Sequence, residues 1–204
     1  MQETEPQSAP VGGRVNKKLR TRAAIVSAAV ELMRTGGEVT MPEVAKAALV
    51  SEATAYRCFP DLASLLQESM AGQWPTPEQA LRSVADSTDP AERVAAAAQH
   101  LLRQVATYQG ATRAMIAATI TRPEAVAARP ALRLGLIDHA LAPWTEAHAE
   151  AIVQLKRDLA VVISAEALFT LMDLLGLDAE GAIASAVRTA TALTRAALGP
   201  VGPD

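Results

Sequence analysis

Between Gly36-Gly37 and Phe59-Pro60 the chain has room for two short helices and almost nothing between them. The paired glycines end the helical pattern before them, because glycine is a poor helix former and a good cap. Thr40 then precedes Pro42 and Glu43, a side-chain oxygen followed by a proline in the first turn, which is how helices start. That helix reaches Ala48, about two turns. Leu49-Val50-Ser51 separates it from a second helix that opens at Ser51 and closes at Phe59, where the following proline disfavours helical geometry. Two helices joined so tightly must cross steeply, as in a helix-turn-helix. Val44, Ala45 and Ala48 meet Val50, Ala55 and Phe59 at the crossing, and the small residues among them let the axes approach. Ser51, Glu52, Ala53, Thr54, Tyr56 and Arg57 lie outward. A helix presented in this way fits a major groove about 12 Å wide.

The rest of the chain reads as helix. Upstream, Leu19, Ala23, Ile25 or Val26, Ala29, Val30 and Met33 recur at helical spacing. Residues 1–13 carry breakers and no periodicity, and read as a disordered arm. Asp61 caps a helix over Leu62–Ala71, and Gln73-Trp74-Pro75-Thr76-Pro77 marks the boundary to a larger second part. Beyond it, helices are expected from Asp89-Pro90 to Tyr108, over 111–121 and 123–128, from Pro130 to Pro143, over Glu146–Asp158, over Val161–Leu175 and over Asp178–Leu198. No stretch alternates long enough for a strand. Alanine fills 44 of the 204 positions, which suits tightly crossing helices. The fold class is therefore all-α. The domains are expected at 14–72, a three-helix DNA-binding unit, and 77–204, a larger helical unit.

Charge separates the same two parts. The net charge of −3 divides into −2 over residues 1–13, +4 over 14–59 and −5 over 60–204. A basic head on an acidic body points to a polyanion bound at one end. No long uncharged apolar run is present to cross a membrane, and Met1–Gly13 has no apolar signal-peptide core, so a cytoplasmic protein is expected. One cysteine, Cys58, leaves no intrachain disulfide and no cysteine-based zinc cluster, and it reads as a packing residue.

Residues Thr40–Leu66, above all Thr54-x-Tyr56-Arg57-x-Phe59-Pro60, together with Arg20–Leu32 upstream, resemble the TetR family of transcriptional regulators. The likeness covers about residues 19–66. It implies an N-terminal DNA-binding domain and a C-terminal domain that binds a ligand and dimerises. It places Tyr56 and Thr40 at phosphate-contacting positions. Ser51, Ala53 and Thr54 are best placed for base edges or thymine methyls, and Arg57 for phosphate or guanine. Lys17, Lys18 and Arg20 can reach adjacent phosphates or a minor groove. Three positions depart from the family. Leu49 replaces the usual turn glycine and must avoid positive φ or accept strain. Leu62 stands where a lysine is usual, and Pro42 where some members read a base.

The body carries no comparable motif. His100, His139 and His148 lack metal-site spacing, and there is no P-loop, GxGxxG or serine elbow, so neither metal, cofactor nor enzymatic activity is expected. A small-molecule pocket between helices is plausible on general grounds, with Arg103, Tyr108, His139, Trp144, Phe169, Met172 and Asp173 as the large or polar inward residues. The last two helices offer stripes for pairing: Leu168, Leu171 and Leu175 on one, Ile183, Val187, Ala190 and Thr194 on the other. Two helices from each of two chains would make a four-helix bundle. The alternative is that both stripes are core within a single chain. The expected function is that of a homodimer on double-stranded operator DNA, a repressor released by a small-molecule effector. A small all-α enzyme, or a helical adaptor with a basic end, remains the alternative.

Overall fold

The computed structural model describes residues 11–35, 39–70, 74–121 and 132–199. Among them the chain forms eleven α-helices and no strand: α1 (Val11–Arg34), α2 (Met41–Ala47), α3 (Glu52–Cys58), α4 (Leu62–Met70), α5 (Pro77–Ala80), α6 (Pro90–Thr107), α7 (Gln109–Thr121), α8 (Leu132–Leu141), α9 (Ala149–Val162), α10 (Ala165–Asp173) and α11 (Ala179–Leu198). The fold is all-α, with the helix-turn-helix at the N-terminal end.

Side-chain oxygens start most of these helices. Asp61 Oδ1 accepts from the Ser64 amide at 2.8 Å, Asp89 Oδ1 from Ala91 at 2.8 Å and Asp178 Oδ1 from Gly181 at 2.8 Å. Three boundaries differ from the sequence reading. α1 begins at Val11, so residues 11–13 of the expected arm are helical, while residues 1–10 lie outside the described residues. Leu19 is itself 59% exposed and burial begins at Ile25, so residues 15–24 of α1 are helical without being buried. The break expected between Asp158 and Val161 comes later, between Val162 and Ala165. Ser164 accepts from the Ala167 amide at 3.0 Å and donates to the Val161 carbonyl at 2.7 Å, ending α9 and starting α10. Thr76, read as part of a breaker, opens α5 through a reciprocal capping box with Gln79. The helix expected over 123–128 lies outside the described residues.

Two hydrophobic cores result. The first joins Ile25, Ala29 and Met33 of α1 to Val44 and Ala45 of α2, Ala55 of α3, Phe59, and Leu65, Leu66 and Met70 of α4. Ala111 and Met115 of α7 also belong to it, so a helix of the larger part closes the head. The second core centres on α6, which lies along α11. Ala97 and Ala98 share it with Ala182, Ala186 and Ala190, and the bulk is supplied by Leu102, Leu136, Ile137, Leu141, Ile152, Leu155 and Leu159. Here the alanine excess acts as spacing: small side chains let α6 and α11 run close together.

Arg93 is the polar fastener of the second core. It is only 4% exposed. Its guanidinium donates to four backbone carbonyls: Nε to Ala140 at 3.0 Å, Nη1 to Val84 at 2.9 Å and Ala85 at 2.7 Å, and Nη2 to His139 at 3.1 Å. These carbonyls close the ends of α8 and of the 3-10 turn Arg82–Val84, where helix termini leave acceptors unmet. Arg93→Met keeps the length but leaves those acceptors unpaired. It should lower unfolding free energy by about 3 kcal/mol in urea denaturation, with Arg93→Lys recovering only part of the loss.

Candidate nucleic-acid interface

α2 and α3 are held apart from solvent by their inner faces and present a polar outer face. Thr40 caps α2, its Oγ1 accepting from the Glu43 amide at 3.4 Å and lying 3.1 Å from the Glu43 carboxylate. Ser51 caps α3, accepting from the Thr54 amide at 3.3 Å. Ser51 Oγ also lies 2.9 Å from Thr54 Oγ1, and Arg57 Nη2 donates to that same Thr54 oxygen at 2.9 Å. Ser51, Thr54 and Arg57 therefore form one hydrogen-bonded line along the outer face, at the spacing that puts residues on one side of a helix. Ala53 is exposed beside it, and Tyr56 is 49% exposed with its ring off the core. The buried positions of the same helix are Ala55 and, just beyond, Phe59.

Lys17 and Lys18 join this face. With Thr21 of α1 they line a shallow concavity whose other wall is Thr54, Arg57 and Cys58. Arg20 is exposed on the same stretch of α1. Arg22 has a different role that its sequence position did not disclose. Its guanidinium chelates the Glu68 carboxylate of α4, donates to the Cys58 carbonyl at the end of α3, and lies 4.0 Å over the Phe59 ring. One side chain thus ties α1, α3 and α4 together. Leu49, at the turn between α2 and α3, has φ 54° and takes the strained option, with its side chain 93% exposed.

Residues 25–68 match the family model described as bacterial regulatory proteins, tetR family. Over the whole chain, the fold is similar to that of a TetR transcriptional regulator from Rhodococcus sp. RHA1, at 21% identity and a TM-score of 0.51, covering 91% of this chain and 100% of that one. No curated protein matches. The family match covers the helix-turn-helix head alone, and the likeness over the whole chain is one of fold. The matched residues are α1 from Ile25, all of α2 and α3, and α4 to Glu68, so they stop at the carboxylate that Arg22 holds.

The larger part of the chain holds a cavity of about 360 Å³ between the end of α4 and helices α6, α7, α8 and α10. Met70, Trp74, Val105, Met115, Ile116 and Ser164 are among its lining residues. None of the seven residues expected at a pocket lines it. Arg103 is exposed and 3.6 Å from Glu180. Tyr108 packs on the head core, its ring tilted against Trp74 at 5.8 Å. His139 stands 3.7 Å from Glu78, and Trp144 and Met172 pack on the second core. Phe169 is covered by the Arg113 guanidinium at 3.9 Å, and Asp173 binds that guanidinium through both oxygens at 2.7 Å. This pairing holds the Asp173 carboxyl below its ordinary range, so the bond weakens only as pH falls through that lowered value. Sequence reasoning looked for large and polar side chains, whereas the cavity is built from apolar ones around a tryptophan placed in a breaker segment.

The pairing stripes are corrected in the same way. Leu168, Ile183, Ala190 and Thr194 are buried within one chain, against α6 and α9, and have no surface left for a partner. Leu171 and Val187 are half-buried on that core, and Leu175 alone of the set is largely exposed. Among the described residues no group of three metal-ligating side chains gathers, and no helix is long and apolar enough to cross a membrane. Strain at Leu49 gives a direct check on the turn. Leu49→Gly should raise the unfolding free energy by about 1 kcal/mol, read as a higher denaturation midpoint, while leaving DNA affinity unchanged.

Proposed function

We propose that this protein is an effector-responsive, cytoplasmic homodimer that represses by occupying operator DNA and leaves it when a small molecule fills the cavity. The observation that carries the DNA-contact reading is the hydrogen-bonded Ser51–Thr54–Arg57 line, of which Thr54 and Arg57 share one concavity with Lys17 and Lys18. In this reading Ser51, Ala53 and Thr54 meet base edges, with the hydroxyls already oriented by their neighbours. Lys17, Lys18, Arg20 and Tyr56 bind phosphates on either side, and Thr40 meets the backbone beside α2. Arg57 sits where it can exchange its Thr54 bond for phosphate or guanine.

The release step is supported by which helices wall the cavity. Met70 is the last residue of α4, and Met115 of α7 lies both in the cavity wall and in the head core. A molecule that fits one placement of α4 and α7 better than another shifts the head with them, and only that difference in fit can change DNA affinity. Two heads are needed to span half-sites about one helical turn, or a multiple, apart. Leu174, Leu175 and Leu177 supply exposed apolar surface at the α10–α11 turn, and a second copy covering it through a two-fold would bury them.

Selection of bound duplexes from a random pool, followed by anisotropy titrations over several salt concentrations, tests the reading. A palindromic preference that survives moderate salt is expected, with a protein dimer on each site. Tyr56→Phe should cost about 1 kcal/mol of binding. Arg57→Ala should either relax one base position at about 1–3 kcal/mol or reduce the salt slope by about 1. Binding with no preference over random duplex would falsify the proposal.

A further inference from the structure

We infer that Arg57 and the two α1 lysines close on one and the same DNA phosphate, so that Arg57 anchors the end of α3 and reads no base. The inference rests on the DNA-binding reading above and names which of two groups Arg57 takes. The hollow between the two helices has a volume of about 470 Å³. Lys17, Lys18 and Thr21 of α1 line one side of it, and Thr54, Arg57 and Cys58 of α3 the other. All three cations are exposed. Among the described residues no carboxylate is in ion-pair range of any of them, whereas the charge of Arg22, one turn beyond Lys18, is matched by Glu68. Three like charges around one hollow repel one another, and an anion seated between them removes that cost.

The position of Arg57 argues against a base. A major groove about 12 Å wide admits one helix about 10–12 Å across, so with α3 inside it α1 stays outside. A side chain that shares a hollow with α1 therefore stands at the rim, where the phosphates run. Base edges are met by the N-terminal residues of a recognition helix, and Arg57 belongs to the last turn of α3. Thr54 steadies it there. Its Oγ1 accepts from Arg57 Nη2 at 2.9 Å on the same wall of the hollow, which leaves the other guanidinium N–H groups for phosphate oxygens. Base recognition is left to the first turn of α3.

The test uses the full chain and three variants: Arg57→Ala, Lys17→Ala/Lys18→Ala, and the triple combination. On duplexes selected from a random pool, Arg57→Ala should bind every sequence about tenfold more weakly and keep the same preferred bases. Operators carrying one uncharged methylphosphonate at a time should reveal one phosphate per half-site that matters to both sets of cations. Neutralising it should weaken the intact chain about tenfold and affect Arg57→Ala and Lys17→Ala/Lys18→Ala far less. The triple variant should lower the salt slope by about 1, the mark of one lost phosphate. A relaxed base preference in Arg57→Ala, different phosphates for Arg57 and the lysines, or a slope unchanged or lowered by about 2 overturns the inference. So does inorganic phosphate that competes with DNA at matched ionic strength, because the hollow would then take the free anion. If no duplex is preferred over random sequence, the regulator reading fails, and the salt slope on random duplex still decides the inference. If an operator is found and Arg57→Ala alters its base preference, the regulator reading stands and the inference fails.

Discussion

Two adjacent side chains on α7 face different cores. Met115 is buried with the head residues of α1, α2, α3 and α4, while Ile116 packs against the body around α6 and α11. Adjacent helical residues point about 100° apart, so one helix can belong to both units without a kink. Close-packed interiors resist partial displacement. The head cannot shift without moving α7, and α7 cannot shift without disturbing the body. The cavity lies where these constraints meet, since both residues line it.

Electrostatic clamps reinforce the two ends of this path. Arg22 binds Glu68 and covers Phe59 in the head, and Arg113 of α7 binds Asp173 of α10 and covers Phe169 in the body. In each, a planar guanidinium meets a carboxylate in its own plane and an aromatic ring with its face. Both pairs are partly open to water, so their strength is modest. Their value is positional. Arg22 fixes where the end of α3 sits relative to α4, and Arg113 fixes α7 against α10.

Much of the head was legible because its information is local. Thr40, Ser51, Pro42 and Pro60 announce helix ends by their own chemistry, and the three-residue connection limits the crossing. The outward residues of α3 followed from that crossing. The body was less legible because its meaning depends on which faces are already taken. Ile183, Val187, Ala190 and Thr194 form a stripe in the sequence whether the partner is α6 or a second chain, and only the packing distinguishes these. Trp74 sat among prolines that signal a break, yet it lines the cavity. Arg22 entered only as one charge of the basic head, because its acceptor, Glu68, is 46 positions away.

The turn at Leu49 separates two properties that are usually entangled. Its side chain touches neither the core nor the reading face, since it stands almost wholly in solvent, while its backbone carries the unfavourable dihedral. The choice of residue here therefore sets how firmly the head is folded without altering what α3 presents to a groove. Variants at this one position would grade head stability at constant recognition chemistry, a control over residence of the folded head that substitutions at Thr54 or Arg57 could not give.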